Sequence, residues 1–164
     1  MLLLNKVIVY VLVEEGTKMT ISEKVGMLSA TDNNVAYKAL KELIEVSKES
    51  NTYFDKFVDL MNDTSNSYNR TRGLRLIALN SKWDVEGKVN LIIEDYLDHI
   101  EDDKPITARQ CIKDTVIIAQ HKPELIDIIL KYLRKFDRIY EDSMQSLIYK
   151  DREKAIRMIK QLEW

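Results

Sequence analysis

Apolar residues recur at helical spacing along almost the whole chain from Ser22 onward. In residues 35–47, for example, they occupy the i, i+3 and i+4 positions that form one face of a helix. Short polar stretches rich in Asn, Asp, Ser and Thr interrupt the pattern, and these residue types cap helix starts. The pattern predicts an all-α chain, with helices within residues 23–30, 35–47, 53–61, 68–83, 85–100, 105–121 and 123–136.

Several residues mark where individual helices begin. Ser22 is predicted to cap a short helix over Glu23–Ala30, because a serine side chain accepts hydrogen bonds from the first amides of a helix. Pro105 and Pro123 suit first-turn positions, since proline lacks the amide hydrogen that this turn leaves unpaired. The tail, from Ile139 onward, is predicted to supply one or two more helices.

The apolar pattern also repeats along the chain. The pairs Leu43-Ile44 and Phe57-Val58 recur 34 residues later as Ile77-Ala78 and Leu91-Ile92. Periods of this length, with two helices in each, are typical of stacked helical repeats. From residue 33 to residue 136 the chain resembles HEAT or armadillo-like repeats, which implies an α-α superhelix of stacked antiparallel helix pairs. An irregular all-α bundle is the alternative.

The first 18 residues differ from the rest of the chain. Leu2–Val13 is apolar apart from Asn5 and Lys6, but it is shorter than the roughly 20 residues that span a bilayer. Its many β-branched residues favour an extended conformation. We expect residues 1–18 to be an arm that packs on a single helical-repeat domain, residues 19–164, or on a second copy in a homodimer. Alternatively, the segment reflects an early start codon and Met19 opens the native chain.

Charge and cysteine content restrict the classes of function. The chain has 25 Lys and Arg against 27 Asp and Glu, a net charge of −2, whereas proteins that bind nucleic acid usually carry a basic excess. Nucleic acid is therefore not the expected partner, and neither is a membrane. The single Cys111 cannot form an internal disulfide, so a reducing compartment, the cytoplasm, is expected.

No pattern of residues indicates catalysis or metal binding. His99 is interpreted as a surface residue, His121 as a residue at a helix end, and Cys111 as a buried thiol. The acidic run from Glu94 to Asp103 lacks the residue order of a calcium loop, so a solvated helix end is expected there. No phosphate-binding loop, paired-cysteine motif or activated nucleophile motif occurs. We therefore expect a non-catalytic protein without cofactor or metal.

The HEAT-like resemblance implies a wall formed by the second helix of each pair, on which an extended partner would lie. The charges predicted along this wall have mixed signs, which suits a protein or peptide partner better than nucleic acid. The sequence thus predicts a binding or scaffold module whose contact residues are Lys56, Asp59, Lys88, Asp95, Lys131 and Arg134.

An alternative function comes from the arginine-bearing helices. A HEAT-like family of alkylpurine DNA glycosylases uses aromatic, acidic and Arg residues on a curved helical surface, and resemblance in fold class implies these roles for Trp83, Asp84 and Arg109. The candidate nucleic-acid surface comprises Arg70, Arg72, Arg75, Trp83, Asp84 and Arg109. The competing structural interpretation is that Trp83 fills the junction between two repeats and Asp84 caps the next helix.

Overall fold

The computed structural model describes residues 19–49, 54–135 and 137–162. Within these ranges the chain forms eight α-helices and no strand, so the all-α prediction is confirmed. The expectations for residues 1–18 lie outside the described residues. The helices are α1 (Ile21–Met27), α2 (Asn33–Val46), α3 (Phe54–Met61), α4 (Ser67–Asn80), α5 (Lys88–Asp98), α6 (Pro105–His121), α7 (Ile126–Leu133) and α8 (Asp142–Lys160).

Polar side chains set the starts of the early helices. Thr20, rather than Ser22, caps α1: its hydroxyl accepts from the Glu23 amide, and the Glu23 carboxylate accepts from the Thr20 amide. This reciprocal pair is a capping box, and it places the helix start two residues before the predicted one. Asp32 caps α2, and Asn66 caps α4 by accepting from two amides.

Later helix boundaries follow the prediction more closely. α6 begins at Pro105 and ends at His121, as expected from the sequence. Pro123 begins a short 3-10 turn ahead of α7. The tail forms the single helix α8, so the prediction of one or two helices is narrowed to one among the described residues.

The four long helices α2, α4, α6 and α8 lie side by side. Polar contacts show that α2 and α4 run in the same direction. Asn33, at the start of α2, accepts from Arg72 near the start of α4 at 3.1 Å. Ser47, just after α2, accepts from Asn80 at the end of α4 at 2.9 Å. Since α2 contacts α4, α4 contacts α6 and α6 contacts α8, we call these four helices the long-helix layer.

The short helices α1, α3, α5 and α7 pack on this layer. α1 packs on α2, α3 on α4 and α7 on α8, while α5 reaches α6 mainly through the 3-10 turn His99–Glu101. The sequence predicts antiparallel helix pairs in which α4 packs against the helix that follows it, α5. In the structure α4 packs most extensively on the helix before it, α3.

The close contact between α3 and α4 depends on Gly73. A Cβ atom at this position would lie 2.5 Å from both the Met61 amide nitrogen and the Phe57 carbonyl oxygen. These are backbone atoms of α3, which cannot rotate away as a side chain can. Gly73 therefore allows the two helix backbones to approach.

If the predicted repeat is correct, residues that are 34 positions apart should be buried to the same extent. Leu43 and Ile77, which are 34 residues apart in the sequence, are both fully buried. The same offset fails for Phe57 and Leu91, because Phe57 is fully buried whereas Leu91 is 85% exposed. α5 turns Val89, Ile93, Tyr96 and Leu97 inward instead, so its buried stripe is shifted from the predicted one.

One buried arginine joins α8 to the preceding helix. Arg152 is fully buried, and its guanidinium donates to the carbonyl oxygens of Leu133 and Lys135, at and beyond the end of α7. It also lies 3.3 Å from Glu101. A cation at this place satisfies carbonyl groups that a helix end leaves unpaired. None of the described helices is long and apolar enough to cross a membrane.

Candidate binding groove

Arg70, a residue of the alternative nucleic-acid surface, is buried in an ionic cluster. Its guanidinium donates to both carboxylate oxygens of Asp102, at 2.9 and 2.8 Å, and to Asp103 at 2.8 Å. A third nitrogen donates to the Asp63 carbonyl oxygen. His99 lies 2.8 Å from the same Asp102 carboxylate. Arg70 and Asp102 therefore join α4 to the turn before α6.

The ionisation of Asp102 follows from these contacts. Burial by itself would raise the pKa of Asp102, but the hydrogen bonds from His99 and Arg70 outweigh that effect. They hold its pKa well below the usual range, so the carboxylate stays charged beside the guanidinium. The expectation of a fully solvated acidic helix end is thus wrong at Asp102, which is buried.

Arg72 is also buried and satisfied within the protein. It donates to the Leu28 carbonyl oxygen at 2.9 Å and to the side-chain oxygens of Asn33 and Asn69. Burial lowers the pKa of its guanidinium. Its contacts connect α4 to the segment between α1 and α2. Neither Arg70 nor Arg72 presents its guanidinium to solvent, where a phosphate would contact it.

Arg75 and Arg109 form ion pairs between successive long helices. Arg75 of α4 lies 2.5 Å from Asp114 of α6, and Arg109 of α6 lies 2.6 Å from Asp151 of α8. Both arginines are half-buried, whereas the side chain of Asp114 is almost fully buried. These pairs bridge the helices of the long-helix layer, so both guanidinium groups already have a carboxylate partner.

Trp83 and Asp84 have the structural roles that their position in a turn indicates. The Trp83 indole donates to the Ser47 carbonyl oxygen at 2.8 Å, and so joins the end of α4 to the end of α2. The Asp84 carboxylate accepts from the amides of Lys88 and Val89 and caps α5. Lys122 lies 3.0 Å from it. The six residues of the alternative nucleic-acid surface are therefore contacts between helices.

The buried carboxyl group of Asp114 makes stability depend on pH. Burial raises its pKa to about 6 despite Arg75 and a hydrogen bond from Gln110. A native pKa above the unfolded value means that ionisation costs stability as pH rises between those two values. Between about pH 5 and pH 7 the parent protein should therefore lose about 1 kcal/mol of unfolding free energy that the Asp114→Asn variant does not lose. The difference between the variant and the parent should rise by that amount. Urea unfolding of both proteins measures this difference, and a constant difference would contradict the account.

The six contact residues predicted from the mixed-sign wall all lie on or beside the short helices. Five are exposed, and Lys88 is half-buried, 3.6 Å from Glu86 and 4.0 Å from Asp55. No contact brings all of them into one site. Lys56 and Asp59 line a cleft of about 450 Å³ between α1, α3 and α4, whereas Asp95, Lys131 and Arg134 lie on α5 and around the end of α7. Their role in binding stays a prediction.

A groove that the sequence interpretation missed lies between the long helices α6 and α8. Its volume is about 300 Å³. Val116 and Ala155 contribute to an apolar floor, and Lys113 and Lys154 are among the lining residues. The long-helix groove is defined by Lys113, Val116, Ile117, Gln120, Asp151, Lys154, Ala155 and Met158.

A second cleft continues the same surface toward α2. It has a volume of about 120 Å³ and shares Ile117 with the long-helix groove. Ile44 of α2 and Leu79 of α4 provide its apolar residues. Lys48, Lys82 and His121 line it as well. Together, the two recesses are lined by residues of all four long helices.

Cationic side chains outnumber acidic ones among the residues that line the two recesses, and one of these cations, Lys48, is paired with Glu45 at 2.8 Å. Lys113 and Lys154 have no carboxylate within ion-pair distance among the described residues. Among the described residues, Lys82 donates to the Lys48 carbonyl oxygen and lies over the Trp83 ring. The one acidic residue lining the long-helix groove, Asp151, is paired with Arg109. An apolar floor with unpaired lysines is chemically suited to a ligand that is both apolar and anionic.

The described residues contain no cluster of three or more His, Cys, Asp or Glu that would hold a metal ion. Cys111 is fully buried, as predicted, and burial raises the pKa of its thiol well above the usual value. A thiol in that state is a poor nucleophile. His99 is half-buried against Asp102 rather than free on the surface.

Comparison with known proteins gives no relative to guide the assignment: no protein family, curated protein or solved structure matches this chain. The chemistry of the surface itself is therefore the basis for a functional assignment.

Proposed function

We propose that this protein is a non-catalytic, HEAT-like helical module that binds a protein or peptide partner. The observation that supports it best is the long-helix groove, where Ile117 and Met158 lie among lysines that form no close ion pair with any described residue. Side-by-side packing of the long helices is the arrangement by which helical repeats form extended binding surfaces. A reducing compartment such as the cytoplasm stays our expectation for where it acts.

The proposal moves the contact surface from the short helices to the long ones. Lys56 and Lys131, which the sequence favours, lie on α3 and α7, whereas Lys113 and Lys154 lie on α6 and α8. All four lysines are exposed, so they can be reversed in charge without disturbing the core. The chain thus offers two matched pairs of substitutions with the same change in net charge.

Affinity capture with these variants tests the proposed function. The groove variant carries Lys113→Glu and Lys154→Glu, and the short-helix variant carries Lys56→Glu and Lys131→Glu. From an extract of the native cells, the parent protein and the short-helix variant should retain the same specific protein, and the groove variant should lose it. Retention by all three, or loss only from the short-helix variant, would contradict the assignment of the groove.

A separate experiment tests the alternative that the protein binds nucleic acid. Since Arg70 and Arg72 are buried and paired, we expect no saturable binding of single- or double-stranded DNA at micromolar protein in low salt. A filter-binding titration measures this directly. Saturable binding that the groove variant loses would instead favour a nucleic-acid-processing protein.

A further inference from the structure

We infer that the segment bound in the long-helix groove is an acidic amphipathic helix. This inference depends on the proposed function and specifies its partner: a helix with aliphatic residues on one face and Asp or Glu beside them. The charge of the groove, its apolar floor and the backbone chemistry of its walls support this inference.

Lysines lie on both walls of the groove. Lys113 belongs to α6 and Lys154 to α8, so the groove has a cation on each side. Asp151 does not neutralise them, because Arg109 holds its carboxylate at 2.6 Å. Toward α2, burial and the nearby charge of Lys82 lower the pKa of His121, which fits a surface with an excess of cations. Carboxylates on a ligand would supply the missing partners.

The floor of the groove explains why the ligand also needs an apolar side. Val116 and Ala155 lie at its base, at 7% and 3% exposure, and Met158 remains 41% exposed. An exposed methionine beside a recess adapts its shape to different aliphatic partners, because its side chain is flexible and polarisable. A polyanion without apolar groups, such as a nucleic-acid backbone, would leave this floor uncovered. The groove therefore favours a ligand that buries aliphatic groups between the lysines.

The walls favour a helix over an extended peptide. The two walls, α6 and α8, are α-helices, whose main-chain amides and carbonyl groups are hydrogen-bonded within each helix except at the ends. An extended peptide would find no strand edge here with which to pair its own main chain. A helical ligand satisfies its backbone internally and presents only side chains, which is the usual way that an apolar groove binds a helix.

A designed peptide tests the inference with a defined probe. The acidic helix has leucine at the i, i+3, i+4 and i+7 positions, glutamate beside the leucines and alanine at the remaining positions, with a fluorescent label at one end. One control peptide replaces every glutamate by lysine, and another replaces every leucine by serine. Fluorescence anisotropy then gives the Kd of each peptide for the parent protein, the groove variant and the short-helix variant.

The expected results separate the groove from general charge effects. The parent protein should bind the acidic helix saturably, and added salt should weaken the complex. The groove variant should bind it at least about tenfold more weakly, whereas the short-helix variant, with the same net charge, should stay within about twofold. Both control peptides should bind at least about tenfold more weakly than the acidic helix. Circular dichroism of the variants confirms that each remains helical.

Other outcomes would overturn the inference. These are the absence of saturable binding to the parent protein, an equal loss in both variants, and equal binding of the lysine or serine control peptide. They are distinguishable from failure of the proposed function. If the groove variant loses the captured native partner while the parent protein ignores the acidic helix, the binding function stands and the acidic-helix inference fails.

Discussion

Replacing Asp102 with alanine is expected to lower the free energy of unfolding by about 3–5 kcal/mol, because the substitution leaves the buried Arg70 guanidinium without its main partner. In the native protein that guanidinium donates to both Asp102 carboxylate oxygens. Only 3% of the Asp102 side chain and 7% of the Arg70 side chain are exposed. Urea unfolding of the parent and variant measures the loss.

Asp103 is the matched control for this substitution. It lies 2.8 Å from the same Arg70 guanidinium, but 61% of its side chain is exposed. An exposed ion pair contributes little, so Asp103→Ala should cost no more than about 1 kcal/mol. Similar losses for Asp102→Ala and Asp103→Ala would show that the cluster is not buried as the structure describes.

The pH dependence of the Asp102 effect has a definite sign. The native pKa of Asp102 lies below the unfolded value, so its ionised form stabilises the fold when pH is above that unfolded value. As pH falls below about 4, the stabilisation should decrease, and the difference between the parent and Asp102→Ala should shrink. This is opposite to the expected behaviour of Asp114, whose pKa is raised.

Replacing Gly73 with alanine is expected to destabilise the protein by about 3 kcal/mol, the upper end of the usual cost of overpacking. Helix propensity alone predicts the opposite sign, since alanine favours a helix interior by about 1 kcal/mol over glycine. Steric overlap dominates here because the new Cβ would meet backbone atoms of Phe57 and Met61 at 2.5 Å. The whole of α3 would have to move.

Gly26 provides the control for Gly73. It lies within α1, and a Cβ added there would meet no atom within 4 Å. Gly26→Ala should therefore stabilise the protein by about 0.5–1 kcal/mol through helix propensity. Thermal or urea unfolding of both variants shows whether each substitution raises or lowers the free energy of unfolding. Stabilisation by Gly73→Ala would contradict the close packing of α3 on α4.

Local rules account for the features that the sequence predicts correctly. Asp84 precedes a helix by a few residues, and a short polar side chain in that place caps the helix whatever the distant structure is. Cys111 lies within an apolar stripe, and it is buried. His121 ends α6, where Pro123 follows closely. Each of these predictions depends on only a few neighbouring residues.

The errors occur where residues distant in sequence determine the environment. Arg70 looks like a surface cation until the chain brings it to Asp102, 32 residues further along. Leu91 fits the repeat spacing, yet α5 turns it outward because Val89, Ile93 and Tyr96 fill the inward positions. Periodicity gives the spacing of a buried stripe, but tertiary packing decides which residues form it.

The long-helix groove illustrates the same limitation at the candidate site. Its signal in the sequence is weak: apolar residues such as Ile117 and Met158 occur on helix faces that are otherwise polar. Sequence spacing alone does not show that these faces adjoin, since α6 and α8 are separated by the whole of α7. Only the side-by-side packing of the long helices brings Lys113 and Lys154 to one recess.

The most direct test of this account is an NMR titration of methyl-labelled protein with the acidic helix of leucine and glutamate. If the long-helix groove binds an acidic helix, the methyl signals of Ile117 and Met158 should shift saturably with added peptide. The signals of the exposed Val85 and Leu91, in and beside α5, should remain in place. Shifts at Val85 and Leu91 with unchanged signals at Ile117 and Met158 would contradict the assignment of the binding surface to the long helices.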